Sequence, residues 1–284
     1  MNPNNLPARA ERFRALHQAP PILLLPNAWD VVSAMLYEKE GFPAVATTSA
    51  GVASAFGYPD GQKMALEEQL AVIRRIAASC SVPVSADIEA GYADDPDGVA
   101  RTVAMTIEAG AVGVNLEDGK PGCGGAEGGD LFDLNEQVER IAAAREAADR
   151  SGVPLLINAR TDVFLHADDS EKRIGAAVAR GNAYRQAGAD CIFVPDLGDL
   201  DEQTLSILVR EIEAPLNVIA GTSTPPVARL EKLGVARVSF GPRPMRAVLS
   251  LLREIAREWT ERGTFEKMAS STLSYEELNR WFEA

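Results

Sequence analysis

Short apolar runs rich in β-branched residues alternate with longer segments of helical spacing along the whole chain. The strand-like runs are Ile22–Leu25, Ala44–Thr48, Val82–Asp87, Val112–Glu117, Leu155–Ala159, Cys191–Val194, Leu216–Ile219 and Arg237–Phe240. They are nearly all apolar rather than alternating, as expected of parallel strands covered by helices. Between them Leu66–Ala78, Val99–Ala109, Asn135–Ala148 and Ile174–Ala187 repeat apolar residues at helical spacing. Gly110, Gly188 and Gly234 close three helical segments in the phrases Glu-Ala-Gly-Ala-Val, Gln-Ala-Gly-Ala-Asp and Lys-Leu-Gly-Val-Ala. Each reads as a left-handed helix stop followed by a new strand.

Eight such βα units in about 250 residues are the size of a (β/α)8 barrel, so an α/β TIM-type barrel is expected. A doubly wound sheet is the alternative, but it brings a Gly-rich phosphate turn after its first strand. Here that turn is Pro26-Asn27-Ala28-Trp29-Asp30, without GxGxxG. Leu6–His17 predicts an N-terminal helix, and Met245–Glu261 and Ser274–Phe282 predict C-terminal helices. Ser274 with Glu277 three residues later has the form of a capping box. Residues 1–284 read as a single barrel domain, with 244–284 a helical segment that serves oligomerisation.

A hydrophobic content of 46% and 24% charged residues are ordinary for a soluble globular chain. The net charge of −13 argues against nucleic acid, because phosphate contacts need clustered Lys and Arg. It leaves room for small anions held by a few local arginines and a metal. Cys80, Cys123 and Cys191 form no CxxC pair, so neither a disulfide framework nor a zinc knuckle is indicated. The start lacks the basic and apolar regions of a signal peptide, and no run approaches a membrane span. The chain reads as cytoplasmic.

The most informative segment is Ser85-Ala86-Asp87-Ile88-Glu89-Ala90-Gly91-Tyr92. Alternation along a strand would point Asp87 and Glu89 the same way, roughly 6–7 Å apart. Two acids so placed repel unless a proton or cation lies between them, and oxygen-only ligands favour Mg²⁺ or Mn²⁺. In a barrel the chemistry lies at the strand C-termini. Those ends supply Thr48, Ser49, Ala50 and Gly51, then Asp60, then Asp87 and Glu89, then Asn115, Glu117 and Asp118. Further on come Asn158, Arg160, Asp162, Asp196, Asn217 and Arg243.

No strand end holds a Lys for Schiff-base chemistry, and the two histidines, His17 and His166, belong to no ligand cluster. Several acids facing one arginine suit a metal-assisted site for an oxyacid, with Arg160 gripping a carboxylate by two prongs. Duller roles stay open. Arg160 also fits an ion pair with Asp162 or Glu117, Asn217 fits satisfaction of buried backbone, and Asp60 fits a Pro-Asp-Gly turn. Cys191 and Cys80 fit inert core.

On these residues, from about Pro20 to Gly241, the chain resembles the isocitrate lyase/phosphoenolpyruvate mutase superfamily, in its carboxyvinyl-carboxyphosphonate phosphorylmutase-like branch. The resemblance implies a (β/α)8 barrel whose last helix swaps onto a neighbouring subunit, in a homodimer or homotetramer. It implies that Thr48, Ser49, Ala50 and Gly51 hold the substrate's oxyacid end together with Asp87, Arg160 and Asn217. It makes Asp87 the direct metal ligand and has Glu89 and Glu117 reach Mg²⁺ (or Mn²⁺) through water. Asp60, Glu117, Arg160 and Cys123 are the implied catalytic residues. The loop Asp118–Gly129 departs from the family pattern: Lys, Cys and Gly recur, but the spacing is shorter and the His is missing. Cys123 is thus either the general acid or a chance residue in a Gly-rich lid.

The expected function is Mg²⁺-dependent cleavage of a C–C bond in a small 2-oxo or 2-hydroxy di- or tricarboxylate through an enolate. Cys123, Tyr58 and a water held by Glu89 or Glu117 are candidates to protonate it. The alternatives are P–C chemistry on a phosphonopyruvate-like acid, or a 2-oxo acid binding protein that has lost its proton donor.

Overall fold

The computed structural model describes residues 5–18, 20–121, 130–166, 170–196, 200–270 and 273–283. Its strands are β1 (Leu23–Leu25), β2 (Asn27–Ala28), β3 (Val45–Thr47), β4 (Val84–Asp87), β5 (Gly113–Glu117), β6 (Leu156–Arg160), β7 (Cys191–Val194), β8 (Leu216–Ile219) and β9 (Arg237–Ser239). All pair in parallel in one sheet, in the order β1-β9-β8-β7-β6-β5-β4-β3-β2. The eight predicted runs are all present, and the first is divided at Pro26, which has no N–H to give a ladder. β1 pairs with β9 and β2 with β3, so the two ends of the sheet lie on one run of chain and the barrel is nearly closed.

The helices are α1 (Leu6–Ala15), α2 (Val31–Lys39), α3 (Ser49–Ala55), α4 (Leu66–Ser79), α5 (Pro96–Glu108), α6 (Leu134–Ser151), α7 (Val163–His166), α8 (Ser170–Gln186), α9 (Glu202–Glu211) and α10 (Val227–Leu233). After them come α11 (Arg243–Arg262), α12 (Glu266–Ala269) and α13 (Tyr275–Arg280). α4 shows why the pattern works: Leu70, Ile73, Ile76 and Ala77 recur on one face and are buried, while Glu67 and Glu68 complement its N-terminus. Each fully buried Ile or Leu of this kind is worth roughly 1.5–3 kcal/mol. The predicted stops are real: Gly110, Gly188 and Gly234 have φ of +98°, +111° and +92°.

Contacts divide the chain into two units, Met1–Gly241 and Pro242–Ala284. In the first, the strands alternate, where uniformly apolar runs were expected. Val114, Leu116, Ile157, Ala159, Ile192, Val194, Val218 and Val238 belong to one buried apolar cluster. Apart from Phe193 on β7, the residues between them that join in hydrogen bonds across the interior are polar: Asn115, Asn158, Asn217, Arg237 and Ser239. Asn158 Nδ2 donates to Asn115 Oδ1 at 2.7 Å, and Arg237 on β9 reaches the same oxygen four strands away, a path through the interior.

The N-terminal end of the barrel is closed by α1. Phe13 is fully buried, and a Cβ on Gly113, the first residue of β5, would lie 2.5 Å from its ring. The strand C-termini are therefore the open end.

In the second unit, the buried Glu258 carboxylate accepts from Thr264 Oγ1 (2.6 Å) and from the N–H groups of Glu266 (2.7 Å) and Lys267 (3.0 Å), tying α11 to α12. Ser274 Oγ accepts from Glu277 N–H at 3.1 Å, the predicted cap of α13. No helix among the described residues is long and apolar enough to cross a membrane.

Candidate active site

Asp87 ends β4 and is almost buried. Its N–H donates to Thr47 Oγ1 at 2.9 Å, which fixes it against β3. Thr48 caps α3 through Gly51 N–H at 3.3 Å, turning the chain so that Ser49 faces Asp87. Ser49 N–H (2.9 Å) and Ser49 Oγ (2.8 Å) both donate to Asp87 Oδ2. The Thr48–Gly51 segment thus meets the predicted metal ligand, and the Ser49 donors expected to hold an oxyacid are engaged by a carboxylate of the protein. The other oxygen, Asp87 Oδ1, is buried with no hydrogen-bond partner. An anionic oxygen left so is costly unless something positive meets it.

Glu89 does come near enough to Asp87 to feel its charge, but not by strand alternation as the sequence suggests. β4 stops at Asp87, and Glu89 lies beyond it in the left-handed region at φ +49°. Its carboxylate accepts from Gln62 N–H (2.7 Å) and Tyr92 O–H (2.9 Å), and Tyr92 N–H donates to Gln62 Oε1 (2.6 Å). Gln62 and Tyr92 are left-handed too, at φ +58° and +53°. Three strained residues held by one another and by these bonds are what keep Glu89 in place. Behind them, Arg140 of α6 donates to the carbonyls of Ala90, Ala93 (3.0 Å) and Asp94 (3.1 Å), fixing the loop that follows Glu89.

Asp60, in the turn before Gln62, is exposed on the rim yet its carboxyl is pushed up, by partial loss of solvent and then by the Asp87 charge. Burial, then Asp87 and Asp60, push Glu89 up to about 7. Glu117 is raised well above the carboxylate range by burial, with Asp162, Asp87 and Glu89 adding to it against the pull of Arg160. These acids therefore crowd one another at the barrel mouth.

Arg160 ends β6 in the ion-pair arrangement that the sequence left open. Its Nε and Nη2 donate to Asp162 Oδ1 (2.5 Å) and Oδ2 (2.9 Å), and its Nη1 lies 2.6 Å from Glu117 Oε2. Burial opposes its charge, but Asp162 and Glu117 hold its pKa above that of a free arginine. Three of the five N–H bonds of a guanidinium are so used, leaving two for a ligand.

Asp118, given no role from sequence, is a fully buried hub. It accepts from Asp162 N–H (2.8 Å), Tyr184 O–H (2.7 Å) and Arg180 Nη1 (3.0 Å), bracing the residue that braces Arg160. The stems of the Gly-rich loop are joined by Lys120 N–H to the Asp130 carbonyl (3.0 Å) and Phe132 N–H to the Asp118 carbonyl (2.8 Å). Cys123 lies outside the described residues.

Asn217 is buried inside the barrel, where its Nδ2 donates to Ser239 Oγ at 3.1 Å. It satisfies a side chain, not backbone, and stands in register with Phe193 of β7 and Arg237 of β9. Cys191 and Cys80 are buried, with both thiols pushed up to about 12 by desolvation, as inert core requires.

Sequence reasoning missed Gln62, Tyr92, Arg140 and the Asp118–Tyr184 hub. Gln62 follows directly on the Pro-Asp-Gly turn and Tyr92 closes the Ser85–Tyr92 segment, but nothing in either place signals its role. Among the described residues no three His, Cys, Asp or Glu side chains form a ready cage for a metal ion. The donor set nevertheless fits a hard divalent cation: an orphaned Asp87 oxygen, ringed by carboxyls whose mutual repulsion a cation would relieve. Two surface depressions, one lined by Leu16, Pro21, Leu24 and Phe42 and one by Arg101, Glu108 and Arg150, contain none of these residues.

The family model of phosphoenolpyruvate phosphomutase matches residues 13–260. A provisionally named phosphonomutase from Burkholderia cenocepacia J2315 has a crystal structure that superposes with a TM-score of 0.84 at 40% identity, covering 89% of this chain and 99% of that one. The 2-methylisocitrate lyase of Escherichia coli K12 is 28% identical over 256 residues, 87% of this chain and 84% of that protein. A phosphonopyruvate hydrolase solved with oxalate and Mg²⁺ shares the fold, with a TM-score of 0.82 at 24% identity over 96% of this chain and 94% of that one. With the family match running from the end of α1 into α11, the chain belongs to the phosphoenolpyruvate mutase/isocitrate lyase superfamily, a superfamily of lyases and mutases that act on C–C and P–C bonds.

Proposed function

We propose that the protein is a Mg²⁺-dependent lyase or hydrolase that cleaves a C–C bond in a small 2-oxo or 2-hydroxy di- or tricarboxylate. The observation that carries this reading is the buried, unpartnered Asp87 Oδ1 among acids that raise one another's pKa. Asp87 would hold the cation directly, with Glu89 and Glu117 reaching it through water. When bound, the cation supplies charge to polarise a carbonyl and to stabilise the negative charge left by bond cleavage.

The chain's own residues would do the rest. Arg160, locked by Asp162 and Glu117, offers its two remaining N–H bonds to a substrate carboxylate. Ser49 holds one oxygen of the Asp87 carboxylate from one side and leaves Oδ1 without a partner. Glu117 and Glu89, with carboxyls raised toward neutrality, can hold a proton near the reacting carbon. Tyr58 is tied to Glu68, which raises its pKa and makes it a poor proton donor. That leaves the Cys123 thiol or a water at the acids. Such chemistry is what the name of the similar E. coli lyase describes, and the oxalate and Mg²⁺ bound by phosphonopyruvate hydrolase are ligands of the kind proposed.

A second reading, P–C chemistry, is favoured by the 40% identity to the phosphonomutase. Against it, Lys120, the cation at the loop stem, lies over the Phe132 ring with its Nζ 5.7 Å from the centroid, turned to packing. A binding protein without a proton donor is the third. The second unit supports a homo-oligomer: α11 exposes Val248, Leu249, Leu251, Leu252 and Trp259, an apolar face suited to a second copy. We propose a homodimer or homotetramer on this face, with helix exchange between subunits.

The test is NMR of the protein with Mg²⁺ and oxaloacetate, methylisocitrate, dimethylmalate or phosphonopyruvate. Turnover that EDTA stops and Asp87→Ala lowers at least about 100-fold supports the reading, and the acid consumed separates C–C from P–C cleavage. Turnover or metal binding that survives Asp87→Ala rejects the site. Cys123→Ser that binds but does not turn over assigns the proton donor.

A further inference from the structure

Below the acidic mouth the barrel interior holds a charge that the proposed reaction does not use. Arg237, on β9, is fully buried. Its Nε donates to Ser239 Oγ at 3.1 Å and its Nη2 reaches Asn115 Oδ1 at 3.4 Å, while Nη1 is buried without a partner. Among the described residues no carboxylate pairs with it. Its surroundings are the neutral side chains of Asn115, Asn158, Asn217 and Ser239, joined by hydrogen bonds. Asn115 is the register neighbour of Asp87, so the guanidinium lies under the carboxylate proposed to hold the cation.

A buried guanidinium with no counter-ion is expensive, and an apolar side chain would fill the same space at lower cost. Burial lowers its pKa to about 10, with Cys191 and Asp87 opposing the fall, so it stays charged at neutral pH. The charge therefore acts on whatever binds above it. In a low-dielectric interior that action is not screened by salt.

We propose that Arg237 is a fixed internal cation that sets the balance of ligand binding at the mouth, weakening uptake of a divalent cation by the ligand-free protein and strengthening capture of the anionic oxyacid by the metal-loaded protein. The proposal rests on the metal reading above. Because a dication and a dianion feel equal and opposite effects of one fixed charge, the two changes cancel in the ternary complex. Arg237 thus discourages the cation from binding alone and favours it in company with its acid.

The experiment uses Mn²⁺, followed by its free-ion EPR signal, and oxalate as the oxyacid probe. The variants are R237Q, R237K and D87A in the full chain. R237Q is expected to bind Mn²⁺ roughly tenfold tighter, and Mn²⁺-loaded R237Q to bind oxalate roughly tenfold weaker, with the product of the two constants unchanged. R237K, which keeps the charge and loses the fork, is expected to match the wild type. Unchanged affinities in R237Q, or a shift as large in R237K, overturn the proposal. If R237Q does not fold, N115D leaves the guanidinium in place and sets a carboxylate against it. It must shift the two constants in the directions given for R237Q, Mn²⁺ tighter and oxalate weaker, and no shift overturns the proposal. D87A that still takes up Mn²⁺ like the wild type rejects the metal reading instead, and a wild type without saturable Mn²⁺ binding overturns both.

Discussion

The two ends of the barrel solve one problem, polar groups inside a closed sheet, in opposite ways. At the mouth, Asp60, Asp87, Glu89 and Glu117 face one engaged arginine, and the excess negative charge is left unrelieved. At the floor, Arg237 has no acid, His17 is forced neutral with its pKa pushed down to about 3 by burial and then by Arg237, and Phe13 seals the end. Residual charge is thus negative where a ligand can enter and positive where none can. Fold stability should depend on the Phe13 seal, and ligand binding on the mouth and on the Arg237 charge beneath it.

The largest effect expected from this division is at the seal. Phe13 is fully buried against Gly113 and meets the His17 ring edge-on at 4.8 Å between centroids. Phe13→Ala should lower unfolding free energy by about 3–5 kcal/mol, read by chemical denaturation. The folded fraction should keep wild-type Mn²⁺ affinity within about twofold. If affinity falls with stability, floor and mouth are not separable.

The fold was legible because it is written locally. Apolar runs and glycine stops located all eight strands, and the missing Gly-rich turn argued against the open sheet. What the pattern hid was tertiary. Pro26 stands in plain view, but that it divides a strand whose halves pair with β9 and β3 follows from closure. α3, built of Ser49-Ala50-Gly51-Val52-Ala53-Ser54-Ala55, has too few large residues to show a period. Of the site, Asp87, Glu117 and Arg160 were legible as strand ends. Glu89 was legible as a residue but not as a geometry, because its left-handed backbone is imposed by Gln62 and Tyr92 from beyond the strand. Arg237 was read as the start of an apolar run, since its partner Asn115 is 122 residues away.

Opposite charge logic gives opposite pH slopes. Glu89 has a folded pKa of about 7, above its free value of 4.5, so the fold holds its proton more tightly and gains stability as pH falls through that window. His17 has a folded pKa of about 3, below its free value of 6.5, so stability present above pH 6.5 is lost as pH falls. Take the change in unfolding free energy from pH 7 to pH 5, without metal. Relative to wild type, Glu89→Gln should make that change about 2 kcal/mol less favourable and His17→Gln about 2 kcal/mol more favourable. Shifts of the same sign from the two variants would erase the contrast between mouth and floor.

The smallest effect tests how the mouth holds its acid. Tyr92 O–H donates to Glu89 Oε1 at 2.9 Å and favours the charged carboxylate, while Gln62 N–H holds the other oxygen at 2.7 Å. Tyr92→Phe keeps the ring and removes one donor, which should lower stability by about 1 kcal/mol at pH 8, where the carboxylate is charged. The loss should shrink toward pH 5, where a protonated Glu89 no longer needs that donor. Mn²⁺ affinity should weaken only several-fold, since Gln62 still grips the residue. A loss that stays constant with pH would mean that Tyr92 packs the loop without acting on the charge of Glu89. The pair would then belong with the floor, as structure, and not with the mouth.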